Sequence, residues 1–465
     1  MSRASQSTRM VVGALLGTWL ALAPCHGGLA AEEPLRIGPA LGVPPGVRLG
    51  LEQRSRFEHL ENEFHASAGP NATALVLRTL VFAEFSAGPW ALGLELQDAR
   101  AFAREGTPLS PTLVNAAEPL RAYLAYRTHD VWAAHDTLAV SAGRLTLDLG
   151  SRRLAARNAY RNTINGFTGL HVDWRAATQQ VTCFAVLPVE RSPTGLDALA
   201  NNAFALDREA TGALFWGALA SSAVGAGIAL ELYVFALHEA DRAGQPSQNR
   251  RVFTPGVRLF RQPIAGAFDF QLELMLQRGR SRASLTGSDV TDLRHEASFV
   301  HAAFGYEARL APRPRLILVY DRASGDGDPS DRVNGRFDTL FGARRFDLGP
   351  TSLWGALARS NLESPGLAFN LTPHERLDAF GTFRLAYLAS ARDAWGPAGL
   401  RDPTGAAGRF IGQQFEAGIR WQVVPGNLSL ELGAAILWRG RFAKTAPGTR
   451  PGDPLYVYSQ VTGTI

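Results

Sequence analysis

QFEAGIRWQVVPGNLSLELGAAILWRG, residues 414–440, alternates twice. Phe415, Ala417, Ile419, Trp421 and Val423 fall on one side of an extended chain, and Gln414, Glu416, Gly418, Arg420 and Gln422 on the other. That is the period of two that a strand imposes. After Pro425-Gly426-Asn427, which is turn chemistry, Leu428, Leu430, Leu432, Ala434, Ile436 and Trp438 rebuild the apolar face. The stretch therefore predicts an antiparallel hairpin. Each arm carries its large apolar face over about ten residues, the length a tilted strand needs to cross a bilayer.

The same pattern runs through most of the chain. Strand-like alternation begins at Val47 and recurs at 75–85 and 90–96, at 120–126, at 168–174 and 181–187, at 253–260 and 268–280, at 298–310 and 316–322, and at 353–359, 379–389 and 455–461. Residues 138–147 are less regular, because Leu138, Val140 and Ala142 share a phase with Arg144; a bulge or a strand covered by other protein accounts for this. The uncharged run 211–230, TGALFWGALASSAVGAGIAL, is long enough for a membrane helix. Its four glycines, and a turn at Ser221-Ser222, favour a hairpin instead. The total is about eighteen strands, an even number, with turns alternately short and long. This predicts an all-β fold, a transmembrane antiparallel β-barrel. Trp90, Tyr126, Trp174, Trp421 and Trp438 are candidates for its interfacial girdles. The last residue, Ile465, is not aromatic, and Tyr456 and Tyr458 are the nearest substitutes.

Composition agrees. A hydrophobic content of 46% and a mean hydropathy of -0.05 are too polar for a helical membrane protein, but suit a barrel in which half of each strand faces water. No linker divides the chain. Arg3 and Arg9 precede an apolar run ending in small residues, which predicts a cleaved signal peptide over 1–31, an extended lead-in over 32–46 and the barrel over 47–465. Cys25 would allow lipidation instead, although Pro24 disfavours it. With Cys25 removed, Cys183 stands alone and no intrachain disulfide forms. Lys444 is the only lysine among 47 basic residues.

Phase places Arg48, Arg54, Arg56, Arg78, Arg121, Arg127, Arg258, Arg315, Arg384, Arg420 and Arg439 on the polar, lumenal face, together with Glu52, Glu84, Glu95, Glu231, Glu273, Glu416 and Glu431. Two readings stand side by side. The charges are balanced pairs lining a wet barrel, or the arginines form a ladder of shallow sites for carboxylate or phosphate groups, a role suited to the permanent charge and planar fork of guanidinium. Asp326, Asp328 and Asp331 form a weak calcium candidate in a turn-rich loop. No HExxH, GxSxG or Cys/His ligand spacing occurs, so the sequence suggests no enzyme, no cofactor and no nucleic-acid partner.

Particular residues carry a resemblance. GRLTLDLGSRRL at 143–154, Arg161-Asn162 and FTG at 167–169 resemble the basic motif of the alginate export family of outer-membrane proteins. YDRASGDGDPSD at 320–331, followed by FDTLF at 337–341, resembles its acidic one. The resemblance spans nearly the whole chain from Leu49. It implies an eighteen-stranded barrel in the bacterial outer membrane, contacts with membrane lipid, and an arginine-rich conduit for an anionic polysaccharide. Arg144, Arg152, Arg153 and Arg161 match the basic motif. Leu145, Asp148 and Thr168 depart from it, which leaves a porin for small sugar acids or dicarboxylates as the alternative. Export would further imply a plug at the periplasmic side and periplasmic secretion components as partners.

Overall fold

Residues 34–66, 69–242 and 246–465 are described in this computed structural model; the signal segment expected over 1–31 lies outside them. The strands are β1 (Val47–Glu61), β2 (Asn71–Ala87), β3 (Trp90–Ala103), β4 (Asn115–His129), β5 (Thr137–Leu145), β6 (Phe167–Arg175), β7 (Gln179–Glu190), β8 (Arg208–Glu209), β9 (Ala213–Gly225), β10 (Ile228–Glu239), β11 (Arg251–Arg261), β12 (Phe268–Ser281), β13 (Leu293–Glu307), β14 (Arg315–Ala323), β15 (Val333–Asn334), β16 (Leu362–His374), β17 (Leu377–Tyr387), β18 (Phe410–Val424), β19 (Leu428–Arg439) and β20 (Leu455–Thr464). The two-residue strands β8 and β15 lie in loops. The other eighteen pair antiparallel in chain order. The last closes on the first, with Glu52 opposite Thr464 and Glu61 opposite Leu455. Closure leaves no strand edge unpaired, the condition for crossing lipid with sheet.

The alternation is inverted relative to a water-soluble sheet. On β12, Phe268 is 73% exposed and Leu272, Leu274 and Leu276 about 40%, whereas Asp269, Glu273 and Gln277 are buried. In water such a belt would drive aggregation; against lipid tails it is the favourable face. Trp90 stacks edge-on against Tyr126 near one rim, ring centroids 4.9 Å apart. Tyr456 and Tyr458, by contrast, point into the lumen and are buried, so they do not extend an aromatic girdle.

Eight short connections, the longest of seven residues, lie on one rim. One of them, between β9 and β10, is made by Ala226 and Gly227, both at positive φ, and not by Ser221-Ser222. Such two-residue turns match the twist of the flanking strands. The lead-in docks on the same rim, where Asn427 exchanges hydrogen bonds with Leu35 at 2.7 and 2.9 Å. It is not extended throughout, since Ile37–Ala40 form one helical turn.

Long segments leave the other rim and several fold inward. Segments 146–166 and 324–361 meet inside the barrel: Phe341 donates to the Leu154 carbonyl (2.9 Å), Ala156 to that of Phe341 (3.2 Å) and Ala343 to that of Arg152 (3.0 Å). The approach is so close that a Cβ on Gly342 would lie 1.8 Å from the Arg153 carbonyl oxygen. Residues 353–359, expected as a wall strand, belong to this inward segment. Leu353, Trp354 and Leu357 pack there with Trp395, Phe442 and Tyr456. The wall strand at that place is β16, whose Pro365 and Pro373 break the pattern that would have announced it. Among the described residues the filling comes from the long-loop rim, not from the tight-turn side expected for an export plug.

Candidate functional site: an arginine cluster within the barrel

Register decides what most lumenal arginines do. Arg48 lies directly across from Glu84, Arg121 from Glu95, Arg258 from Glu231 and Arg420 from Glu431, and each pair forms an ion pair. Opposite charges facing each other across a ladder are the stable arrangement. Arg127 reaches the same Glu84 at 2.8 Å, Arg315 reaches Asp269 at 2.6 Å, Arg384 reaches Asp321 at 2.8 Å, and Arg439 lies 3.6 Å from Asp453. These guanidinia are compensated, so the wall holds balanced pairs along most of the expected ladder.

A second group of arginines fastens the inward segments. Arg54 donates to the carbonyls of Ala159 (2.8 Å) and Arg161 (2.7 Å), Arg78 to that of Ala159 (2.6 Å) and to Glu52 (2.6 Å), and Arg56 to that of Tyr160 (2.9 Å) and to Glu58 (2.7 Å). On the opposite wall, Arg153 grips Asp347 with two nitrogens, at 2.8 and 2.9 Å, and Glu273 at 2.6 Å. Arg157 pairs with Glu95 and Arg345 with Glu416, both at 2.6 Å; Arg359 joins Arg153 on Asp347. Burial raises the Asp347 carboxyl, but Arg153 and Arg359 outweigh it and hold it below the ordinary carboxylate range. Arg152 lies over the Phe346 ring. Arg144 explains the irregular phase of β5: it bonds Glu118 and Glu209 (3.0 Å), the latter brought by a loop that covers the strand end.

Arg161, Arg191 and Arg344 form a third group. Each comes from a different inward or rim segment, and among the described residues none has a carboxylate within ion-pair distance. Arg191 donates to Asn165 and, at 3.3 Å, to the Ile164 carbonyl. Arg344 makes only long contacts, 3.4 and 3.3 Å, to the carbonyls of Gly355 and Leu357. Burial, then the guanidinia of Arg161 and Arg359, push Arg344 down to about 9. Burial and Arg161 push Arg191 down to about 10, against a partial pull from Asp207. Burial alone lowers Arg161. Arg161 thus repels both Arg191 and Arg344 in a poorly solvated place, and an incoming anion relieves both penalties. Only Arg161 was marked by the sequence. Arg191 and Arg344 lie outside strands, where phase assigns nothing; their one signal is that Arg344 follows the FDTLF motif closely.

The acidic candidate does not assemble. The Asp326 amide donates to Asp393 at 2.9 Å, Asp328 accepts from Ser330 at 2.6 Å, and Asp331 accepts from the Val333 amide at 2.6 Å. Short acidic side chains here close turns. Among the described residues no group of three metal-ligating side chains occurs.

A closed barrel with a lipid-facing apolar belt and a charged, loop-filled lumen defines an outer-membrane channel, and the protein resides in the bacterial outer membrane. The family model described as alginate export matches residues 46–453, and the chain belongs to that family. No curated protein matches it. In fold the chain is similar to OccAB1 of Acinetobacter baumannii, with 12% identity, 90% of this chain and 97% of that one covered, and a TM-score of 0.57. It is likewise similar to OccK9 (OpdG) of Pseudomonas aeruginosa (13% identity, 90% and 98% covered, TM-score 0.57) and to OpdK of Pseudomonas aeruginosa solved with vanillate (12% identity, 90% and 98% covered, TM-score 0.55).

Proposed function

We propose that the protein conducts acidic carbohydrate across the outer membrane, an alginate-like polyuronate in the leading reading, and that Arg161, Arg191 and Arg344 form its selectivity site. The observation that carries this is that Arg161, Arg191 and Arg344, from three different segments, have no carboxylate partner among the described residues while Arg161 bears electrostatically on both others; the lumenal wall arginines described above are paired with carboxylates, except Arg54, which is held by carbonyl and amide oxygens. A carboxylate reaching them gains charge-assisted hydrogen bonds, yet meets no enclosed cage, so it can also leave. A polymer would pass only after segments 146–166 and 324–361 shift, and their fastening combines ion pairs with hydrogen bonds to backbone carbonyls.

A second reading is an uptake channel for small carboxylates. The inward segments pack the lumen as they stand, which favours small solutes, and OpdK, a fold relative, was solved with vanillate. Planar-bilayer conductance separates the two readings. Block by oligouronates that deepens with chain length supports the polyuronate conduit. Block by uronate monomers and simple acids, with no added effect of length, supports the small-acid channel.

A further inference from the structure

A cavity of about 470 Å³ opens beside the end of β7, and Arg191 forms part of its wall. Arg208 stands in it from the other side, opposite Glu190 in the short β7–β8 ladder. Ser192 and Thr194 complete the polar lining, and their hydroxyls make no hydrogen bond among the described residues. The wall is held in shape from behind. Asp207 accepts from the Ser192 amide (2.8 Å) and from Asn115 (2.6 Å), and its own amide donates to Glu118 (3.0 Å). Arg191 directs its hydrogen bonds to Asn165 and Ile164, on the side of the inner cluster, so one guanidinium borders both spaces.

The donor set defines a ligand class. Two guanidinia ask for one anionic group. Two free hydroxyls and the Glu190 carboxylate ask for hydroxyl groups, because a carboxylate accepts from a sugar hydroxyl but repels a second negative charge. The volume falls in the lower half of the range for small-ligand pockets, about 300–1,000 Å³, enough for one substituted ring. We propose that this cavity is an outer-rim binding site for a single acidic sugar ring, from which Arg191 passes the carboxylate to Arg161 and Arg344. The inference rests on the function proposed above and adds a location, a size and a selectivity for monocarboxylic polyols over dicarboxylates and inorganic phosphate.

The test is sided block of the full-length protein in planar bilayers, with glucuronate, succinate, phosphate or glucose added to the long-loop side or to the tight-turn side. Arg208→Gln removes an exposed cation and serves as the main variant; native-like migration on unheated gels checks its fold. Long-loop-side block by glucuronate should weaken about tenfold in this variant, the effect of one charge-assisted contact, while block from the tight-turn side stays within twofold. Glu190→Gln should raise block by succinate while glucuronate block changes little. Equal weakening from both sides, or none, overturns the cavity site. If Arg344→Gln then still abolishes glucuronate block, the inner cluster stands without it; if Arg344→Gln also has no effect, the proposed function itself fails.

Discussion

Replacing Arg153 by Met tests how the inward segments are held. In the native chain this guanidinium, fully buried, bridges Asp347 of one segment and Glu273 of β12. Its loss leaves Glu273 with Tyr233 (2.6 Å) and Ser151 (2.9 Å), and Asp347 with Arg359 alone. Breaking a buried ion pair from one side costs about 3–5 kcal/mol, because the abandoned carboxylate stays in a poorly solvated place. That cost falls on the docked state of the segments and not on the barrel ladder. Local opening should therefore increase roughly 10²–10⁴-fold. Amide hydrogen exchange by mass spectrometry reads it directly. Protection at Ala156, Phe341 and Ala343, whose amides zip the two segments together, should fall by that factor, while β12 and β13 keep theirs. Adding Glu273→Gln to the variant should restore part of the loss by removing the orphaned charge. Unchanged protection within threefold, or an equal loss throughout the barrel, would refute this fastening.

Gly342→Ala should loosen the same crossing without touching a charge, since its Cβ meets the Arg153 carbonyl at 1.8 Å; the exchange pattern should match that of the Arg153 variant. Arg420→Ala should change anion block by less than twofold, because Glu431 keeps Tyr458 at 2.7 Å and Arg420 is partly solvated; partly exposed pairs contribute about 0–1 kcal/mol. The pH response should centre on Asp207, whose carboxyl burial and the nearby Glu118 push up to about 6. Because the folded loop holds this proton more tightly than an unfolded one, docking of segment 191–212 is strongest in acid and weakens as pH rises through about 6. Protonated Asp207 also leaves the charge of Arg191 undiminished, so glucuronate block should be tighter at about pH 5 than at about pH 7.5, and Asp207→Asn should hold it at the low-pH level.

The barrel was legible because lipid and water ask for opposite side chains on alternate residues, and a ten-residue apolar face such as that of β18 or β12 suits a membrane wall and little else. Eighteen strands were expected and eighteen close the barrel, although 353–359 stood in the count where β16 belongs. The prolines of β16 hid one, and the apolar filling of the lumen imitated the other. Arg144 shows a finer signal: its wrong phase on β5 was visible, and the covering Glu209 is the physical reason. Pairing was less legible, because phase tells which face an arginine takes but not which glutamate stands across the ladder. That depends on register, set by turns such as Ala226-Gly227, where the sequence pattern favours Ser221-Ser222 instead. The candidate site was least legible. Arg191 and Arg344 lie where no period operates, and only the crossing of segments brings them to Arg161.

The reversal potential across a salt gradient, measured on single channels of the native protein and of a variant with Arg161, Arg191 and Arg344 all replaced by Gln, bears most directly on the selectivity site. The native channel should prefer anions, and the variant, still folded because no carboxylate has lost a partner, should lose most of that preference together with block by uronates. A native channel that prefers cations, or a variant that keeps the full anion preference, would contradict the account.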